Sequence, residues 1–260
     1  MFDVQHVLKE YNEKGCALVE NALTEDFVKR AKIEIQAAIE KEIAYHKTTD
    51  YPDYGMILLC CLYGGVFIEI FDNPILLGGL NAILGEGCIV YGYTSSSMPP
   101  DKSNYSKRIH VDSPRYISPD YYTNTGAMII LDDFTEENGA TWYLEGSHKT
   151  VKAPEETYFY DNAKRLMAKA GSIWFLNPRL WHAGGVNQTK SWRHAFTMNI
   201  CRPWMKQRID IPRALAQSGM DLSGLSEMAK QKLGFYAQVP ASYDEYYVAP
   251  ELRKFRQKVE

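Results

Sequence analysis

His110 and Asp112 stand two residues apart in Arg108-Ile109-His110-Val111-Asp112. On extended backbone, residues two apart leave the same face, so an imidazole and a carboxylate project side by side. Both are metal donors, and the pair leaves a third position to be filled from elsewhere. His182, in Trp181-His182-Ala183-Gly184-Gly185, is the candidate. Two histidines and a carboxylate on one face of an octahedral ion form the donor set of non-haem Fe(II) oxygenases, with three positions left open. The pair alone is ambiguous, because Asp112 capping a turn with His110 packed beside it would read the same way. Arg193 shifts the balance. It lies eleven residues past His182 and opens a run, 193–200, that reads as a strand. A guanidinium there could hold a carboxylate through two parallel hydrogen bonds.

The rest of the chain must position these groups. A chain of 260 residues with 45% hydrophobic content can bury one sizeable core, and a single domain spanning 1–260 is expected. The net charge of −3 gives no reason to expect nucleic acid as a partner. No apolar run is long enough to span a bilayer, so no membrane partner is expected. Met1–His6 has neither a basic nor an apolar leader region, so no signal peptide is expected either. Of five cysteines, Cys60 and Cys61 adjoin and Cys16, Cys88 and Cys201 are scattered. That spacing is neither a disulfide framework nor a zinc motif. Buried free thiols in a cytoplasmic protein are expected.

Residues 1–87 read as a mostly helical buttress. Helix over 3–14 stops at Gly15, a strand follows at Cys16–Glu20, and Thr24 caps a long helix to about Ala44. Its stripe of Val28, Ala31, Ile35, Ala38 and Ile39 faces a core. Residues 46–56 read as a loop, and Pro74–Leu84 as another helix. From Cys88 to Trp204 the pattern is that of strands: Ile89–Thr94, Gly126–Asp133, Ala140–Leu144, Ser172–Leu176 and the run after Arg193, with one helix inside Glu155–Ala170. Past Pro203, residues 205–260 are helical and then Tyr-rich. Helices followed by many strands, with metal donors at strand ends, predict a mainly β fold: a double-stranded β-helix (a jelly roll of the cupin kind) flanked by helices.

At this point the sequence resembles the phytanoyl-CoA dioxygenase-like (PhyH) family of Fe(II)/2-oxoglutarate-dependent oxygenases. The resemblance runs through His110-Val111-Asp112, Leu131–Thr141, Gly146-Ser147-His148-Lys149, Gly171–Phe175, His182–Asn187 and Arg193, and the tail Pro240–Tyr247 is similar to tails of bacterial members. It implies that His110, Asp112 and His182 are the iron ligands and catalytic residues. It implies further that Arg193, with Thr141 nearby, binds 2-oxoglutarate, Arg193 taking the C5 carboxylate. The keto acid would chelate iron through its C1 carboxylate and C2 oxygen. With O2 as cosubstrate it would leave as succinate and CO2 while a C–H bond of a small-molecule substrate is oxidised. The sequence departs from the family pattern in three places. Val111 stands where many members have Gln, Glu145 where many have Pro, and Gly184 where many have a Ser that helps hold the C5 carboxylate. Tyr93, on the preceding strand, is the expected substitute hydroxyl.

Other residues carry less. His148 suits a turn, and His194 should face away from Arg193. Lys107, Arg108 and Arg115 flank the motif and could steer an anionic substrate, although solvated loop charges give the same pattern. Tyr116, Arg115, Trp142 and Trp204 are candidates for the substrate pocket, although aromatic residues more often fill cores. Two competing functions remain open: a cupin-like metalloenzyme that does not use 2-oxoglutarate, for which Arg193 would be unnecessary, and a non-catalytic jelly-roll binding module.

Overall fold

The computed structural model describes residues 2–115, 118 and 121–253. The N-terminal helix α1 (Val4–Lys14) is capped by the Asp3 carboxylate and stops at Gly15, whose φ of 86° is left-handed. Strand β1 (Cys16–Val19) follows. Helix α2 (Glu25–His46) starts where expected, with the Thr24 hydroxyl accepting from the Phe27 N–H, and runs two residues further than the sequence suggested. A short α3 (Val66–Glu69) precedes α4 (Pro74–Leu84), which Asn73 caps. The strands are then β2 (Ile89–Ser95), β3 (Asn124–Ile130), β4 (Trp142–Tyr143), β5 (Lys164–Arg165), β6 (Ile173–Leu176), β7 (His182–Ala183) and β8 (Ala195–Cys201). Helix α5 (Glu156–Asn162) lies between β4 and β5, and α6 (Ile211–Gln217), α7 (Glu227–Leu233) and α8 (Tyr243–Tyr246) close the chain.

The strands form two antiparallel sheets, one of five strands ordered β1-β6-β3-β8-β2 and one of three ordered β5-β4-β7. Strand alternation divides the large sheet cleanly. Ala127, Ile129, Ile173, Phe175, Phe196, Met198 and Ile200 point toward the helices and share a core with Ala31, Ile35, Phe67 and Leu80. Their neighbours Met128, Ile130, Trp174, Leu176 and Ala195 point toward the small sheet and pack with Phe134, Ala140 and Leu166. Helix α4 lies hard against β6, since a Cβ on Gly79 would come 2.3 Å from Phe175 Cζ. The mainly β expectation needs correction: helix is 36% and strand 17%. The strands of the second sheet are short, two residues each, and helix α5 packs on it through Tyr160 and Trp142.

Candidate metal centre

His182 lies on β7, and His110 pairs with it through a single bridge: the His110 N–H donates to the His182 carbonyl (2.9 Å) and the reverse bond is 3.0 Å. His110 thus adds one position to the edge of the small sheet. It does not lie in a strand, and Asp112 sits at a bend. The two rings lie 4.3 Å apart between centroids. Each Nδ1 faces a main-chain carbonyl, Arg108 O at 2.8 Å for His110 and Leu180 O at 2.9 Å for His182. A carbonyl can only accept, so each Nδ1 carries the proton and each Nε2 keeps its lone pair free. Both Nε2 atoms lie 3.6 Å from Asp112 Oδ1. Among the described residues this is the one cluster of His, Cys, Asp and Glu whose ligand atoms converge, all within 4.8 Å of one another.

The electrostatics suit a cation. Burial works to raise the Asp112 carboxyl, but His182 and His110 outweigh it and hold the group below its usual range. Burial lowers the His182 imidazole, against the opposing pull of Asp112, so the neutral ligand form is favoured. Two neutral imidazole nitrogens and a carboxylate oxygen fit Fe(II) in the open facial arrangement.

These groups open on a cavity of about 250 Å³ between the two sheets, lined also by Thr141, Met128, Leu176 and Arg193. Arg193 is 1% exposed. Its Nη1 donates to Gly139 O, its Nη2 donates to Ser96 O (3.1 Å), and its Cζ lies 4.2 Å from the Phe134 ring centroid. Its Nε is buried without a hydrogen-bond partner. Burial pulls the guanidinium down to about 10, which leaves it charged at neutral pH. A buried cation with an unused donor is a ready anchor for an anion. His194 turns the other way, as expected, and its Nδ1 lies 2.9 Å from Ser97 Oγ.

Tyr93 requires a correction. Its ring packs on Phe71 and Phe196, and its hydroxyl is buried and unpartnered in the helix-side core. Tyr93 pairs with Met198, whose side chain also faces the helices, while a bulge between Val90 and Gly92 turns Tyr91, Gly92 and Thr94 toward the cavity. A different hydroxyl stands near the departure at position 184. A Cβ there would come 2.4 Å from Ser106 Oγ, so Ser106 fills the space that the missing side chain leaves, and it lines the cavity. Of the substrate candidates, Trp142 lines an adjoining cavity of about 600 Å³. Arg115 lies over the ring of Tyr91, 6.0 Å from its centroid. Trp204 is corrected outright: it is 54% exposed and lines a separate cavity with α6 residues. Tyr116 falls outside the described residues. Sequence reasoning missed Ser106, Thr197, Asn199 and Arg208. Thr197 and Asn199 were legible, since they continue the face of β8 set by Arg193; Ser106 and Arg208 follow no periodicity.

The fold and the three converging donors describe a candidate mononuclear metal site set between two antiparallel sheets. A profile of the phytanoyl-CoA dioxygenase (PhyH) family matches residues 11–195. The chain belongs to this family of Fe(II)- and 2-oxoglutarate-dependent oxygenases. It is 31% identical over 252 residues to the Mycobacterium tuberculosis protein Rv1501, covering 93% of this chain and 90% of that one. It is 23% identical over 256 residues to the iron/α-ketoglutarate-dependent dioxygenase penM of Penicillium thymicola, covering 91% of this chain and 79% of the relative. Its fold is similar to that of AviO1 from Streptomyces viridochromogenes, with a TM-score of 0.61 at 17% identity over 79% of this chain and 98% of that one. No helix among the described residues is long and apolar enough to cross a membrane. All five cysteines are buried and free.

Proposed function

We propose that His110, Asp112 and His182 bind one Fe(II) ion, that Arg193 anchors 2-oxoglutarate, and that the protein hydroxylates or otherwise oxidises a small organic molecule. The convergence of the three donors and the buried Arg193 on one cavity carries this reading. Two sheets facing each other across that cavity support a double-stranded β-helix. The helix-side core, which joins residues of 1–87 to the β region, supports one catalytic domain over 1–260.

Bound there, iron and the keto acid would together supply the oxidant for a C–H bond, with succinate and CO2 as co-products. The protein's own share is placement. Main-chain carbonyls of Arg108 and Leu180 fix the tautomer and tilt of the two imidazoles. Arg193 supplies charge in the cavity, which Thr141 and Ser106 also line in place of Tyr93. Met128 and Leu176 form an apolar wall that limits water near the reacting groups. The test is an assay of succinate formed from 2-oxoglutarate with Fe(II). Turnover should require iron and should disappear in Asp112→Ala; iron-independent turnover, or full activity in that variant, would refute the proposal.

A further inference from the structure

The charge around the site is opposite to that of the chain. The metal-facing cavity is lined by Arg108, Arg193 and Arg208 against one carboxylate, Asp112. The adjoining cavity shares Arg108 and Gly184 with it and adds Lys107 and Arg165 against Glu156. On the reading proposed above, a divalent ion and a doubly charged keto acid offset each other, and Arg193 offsets Asp112. That leaves three cations, Lys107, Arg165 and Arg208, facing Glu156 among the described lining residues, in a protein whose net charge is −3. A concave site focuses such a field on whatever enters it.

Arg208 is the most telling of the three. Its backbone is fixed, the N–H donating to Tyr91 O at 3.0 Å. Its stem passes over Gly92, Cδ lying 4.0 Å from where a Cβ would be, and Arg208 lines the cavity that holds the three metal donors. The nearby Asp210 is engaged by Arg213, and no described residue pairs with the Arg208 guanidinium. On β8, Asn199 pairs with Gly92 and also lines the cavity; its Oδ1 is taken by Asn124 (3.2 Å), which leaves its amide N–H2 as the end available to a ligand. We infer that the substrate carries an anionic group, a carboxylate or a phosphate, and that Arg208 pairs with it and so sets substrate specificity. This rests on the iron and keto-acid reading, and it extends that reading to the class of substrate.

The test uses the full chain, loaded anaerobically with Fe(II) and saturating 2-oxoglutarate so that the keto-acid site is filled. Benzoate and phenyl phosphate are titrated by calorimetry, with neutral benzamide as the isostere. Both anions should bind saturably and at least tenfold more tightly than benzamide, and the tighter of the two identifies the group. Arg208→Gln should weaken the anions about tenfold, the loss of one charge-assisted contact at a partly solvated site, and leave benzamide unchanged. Arg213→Gln, which removes a surface charge elsewhere, should change neither. Equal binding of benzamide and the anions, or parental anion affinity in Arg208→Gln, would overturn the inference. Binding of 2-oxoglutarate by the parent protein is measured in the same series. Its absence would mark failure of the underlying reading, and its presence without anion binding would mark failure of this one.

Discussion

Replacing Arg193 by Met separates its proposed role as keto-acid anchor from any role in the fold. Met keeps an unbranched side chain against Phe134 but removes the charge and the donors to Gly139 O and Ser96 O. Those two carbonyls lose partners, which destabilises; a buried cation held down to about 10 is also removed, which stabilises. The apoprotein should therefore still fold. The anion site should not survive. Losing a charge-assisted pair in a buried setting costs about 2–4 kcal/mol, on the order of a 30- to 1,000-fold loss of affinity. In a thermal-shift assay with ligand at roughly 100 times the parental Kd, the parent gains about 2.7 kcal/mol. A variant 100-fold weaker gains only about 0.4 kcal/mol at the same concentration. For a chain of this size those gains correspond to shifts of roughly 5–10 °C and about 1 °C. Arg193→Lys, which keeps charge and loses the planar fork, should fall between them. If Arg193→Met folds and 2-oxoglutarate protects it as well as the parent, the anchoring role is wrong.

Ser106→Ala should raise the 2-oxoglutarate requirement about five- to tenfold, the effect of one hydroxyl contact, whereas Tyr93→Phe should leave it unchanged; the opposite ranking in steady-state assays would restore Tyr93 as the partner. His194 should make the protein sensitive to acid. Burial lowers it to about 4, so as pH falls below the ordinary value of 6.5 the unfolded chain takes up a proton first, and stability present above 6.5 is lost down to about 4. The loss is about 3 kcal/mol in all, and urea unfolding at pH 7 and pH 4.5 should show a smaller acid loss for His194→Gln than for the parent. In the proposed iron site Asp112 fills a donor position, so turnover in excess bromide should yield oxidised product without halogen by mass spectrometry. A brominated product from the unmodified protein would show that Asp112 is not a ligand during turnover.

Much of the site was legible because its chemistry is encoded in residue type and spacing. His110, Asp112, His182 and Arg193 are rare groups in a fixed order, and the structure draws all four to one cavity. Helices α1, α2 and α4 were legible from caps and breakers at Thr24, Pro74 and Gly15. Tyr93 was misread because the bulge at Val90–Gly92 shifts the alternation of β2, and a single inserted residue leaves no mark in an aromatic, β-branched run. The second sheet was overestimated because Ala140–Leu144 reads as a strand, yet only Trp142 and Tyr143 pair. Ser106 and Arg208 reach the site from irregular segments, where position depends on tertiary contacts that no local pattern records.

Anaerobic equilibrium dialysis of Fe(II) against the parent and His182→Ala tests the central claim most directly. The parent should retain one iron per chain, and 2-oxoglutarate should tighten it and bring up a weak visible absorption. His182→Ala should lose both while keeping its fold by circular dichroism. Parental iron retention and the same absorption in His182→Ala would contradict the assignment of His110, Asp112 and His182 as the metal centre.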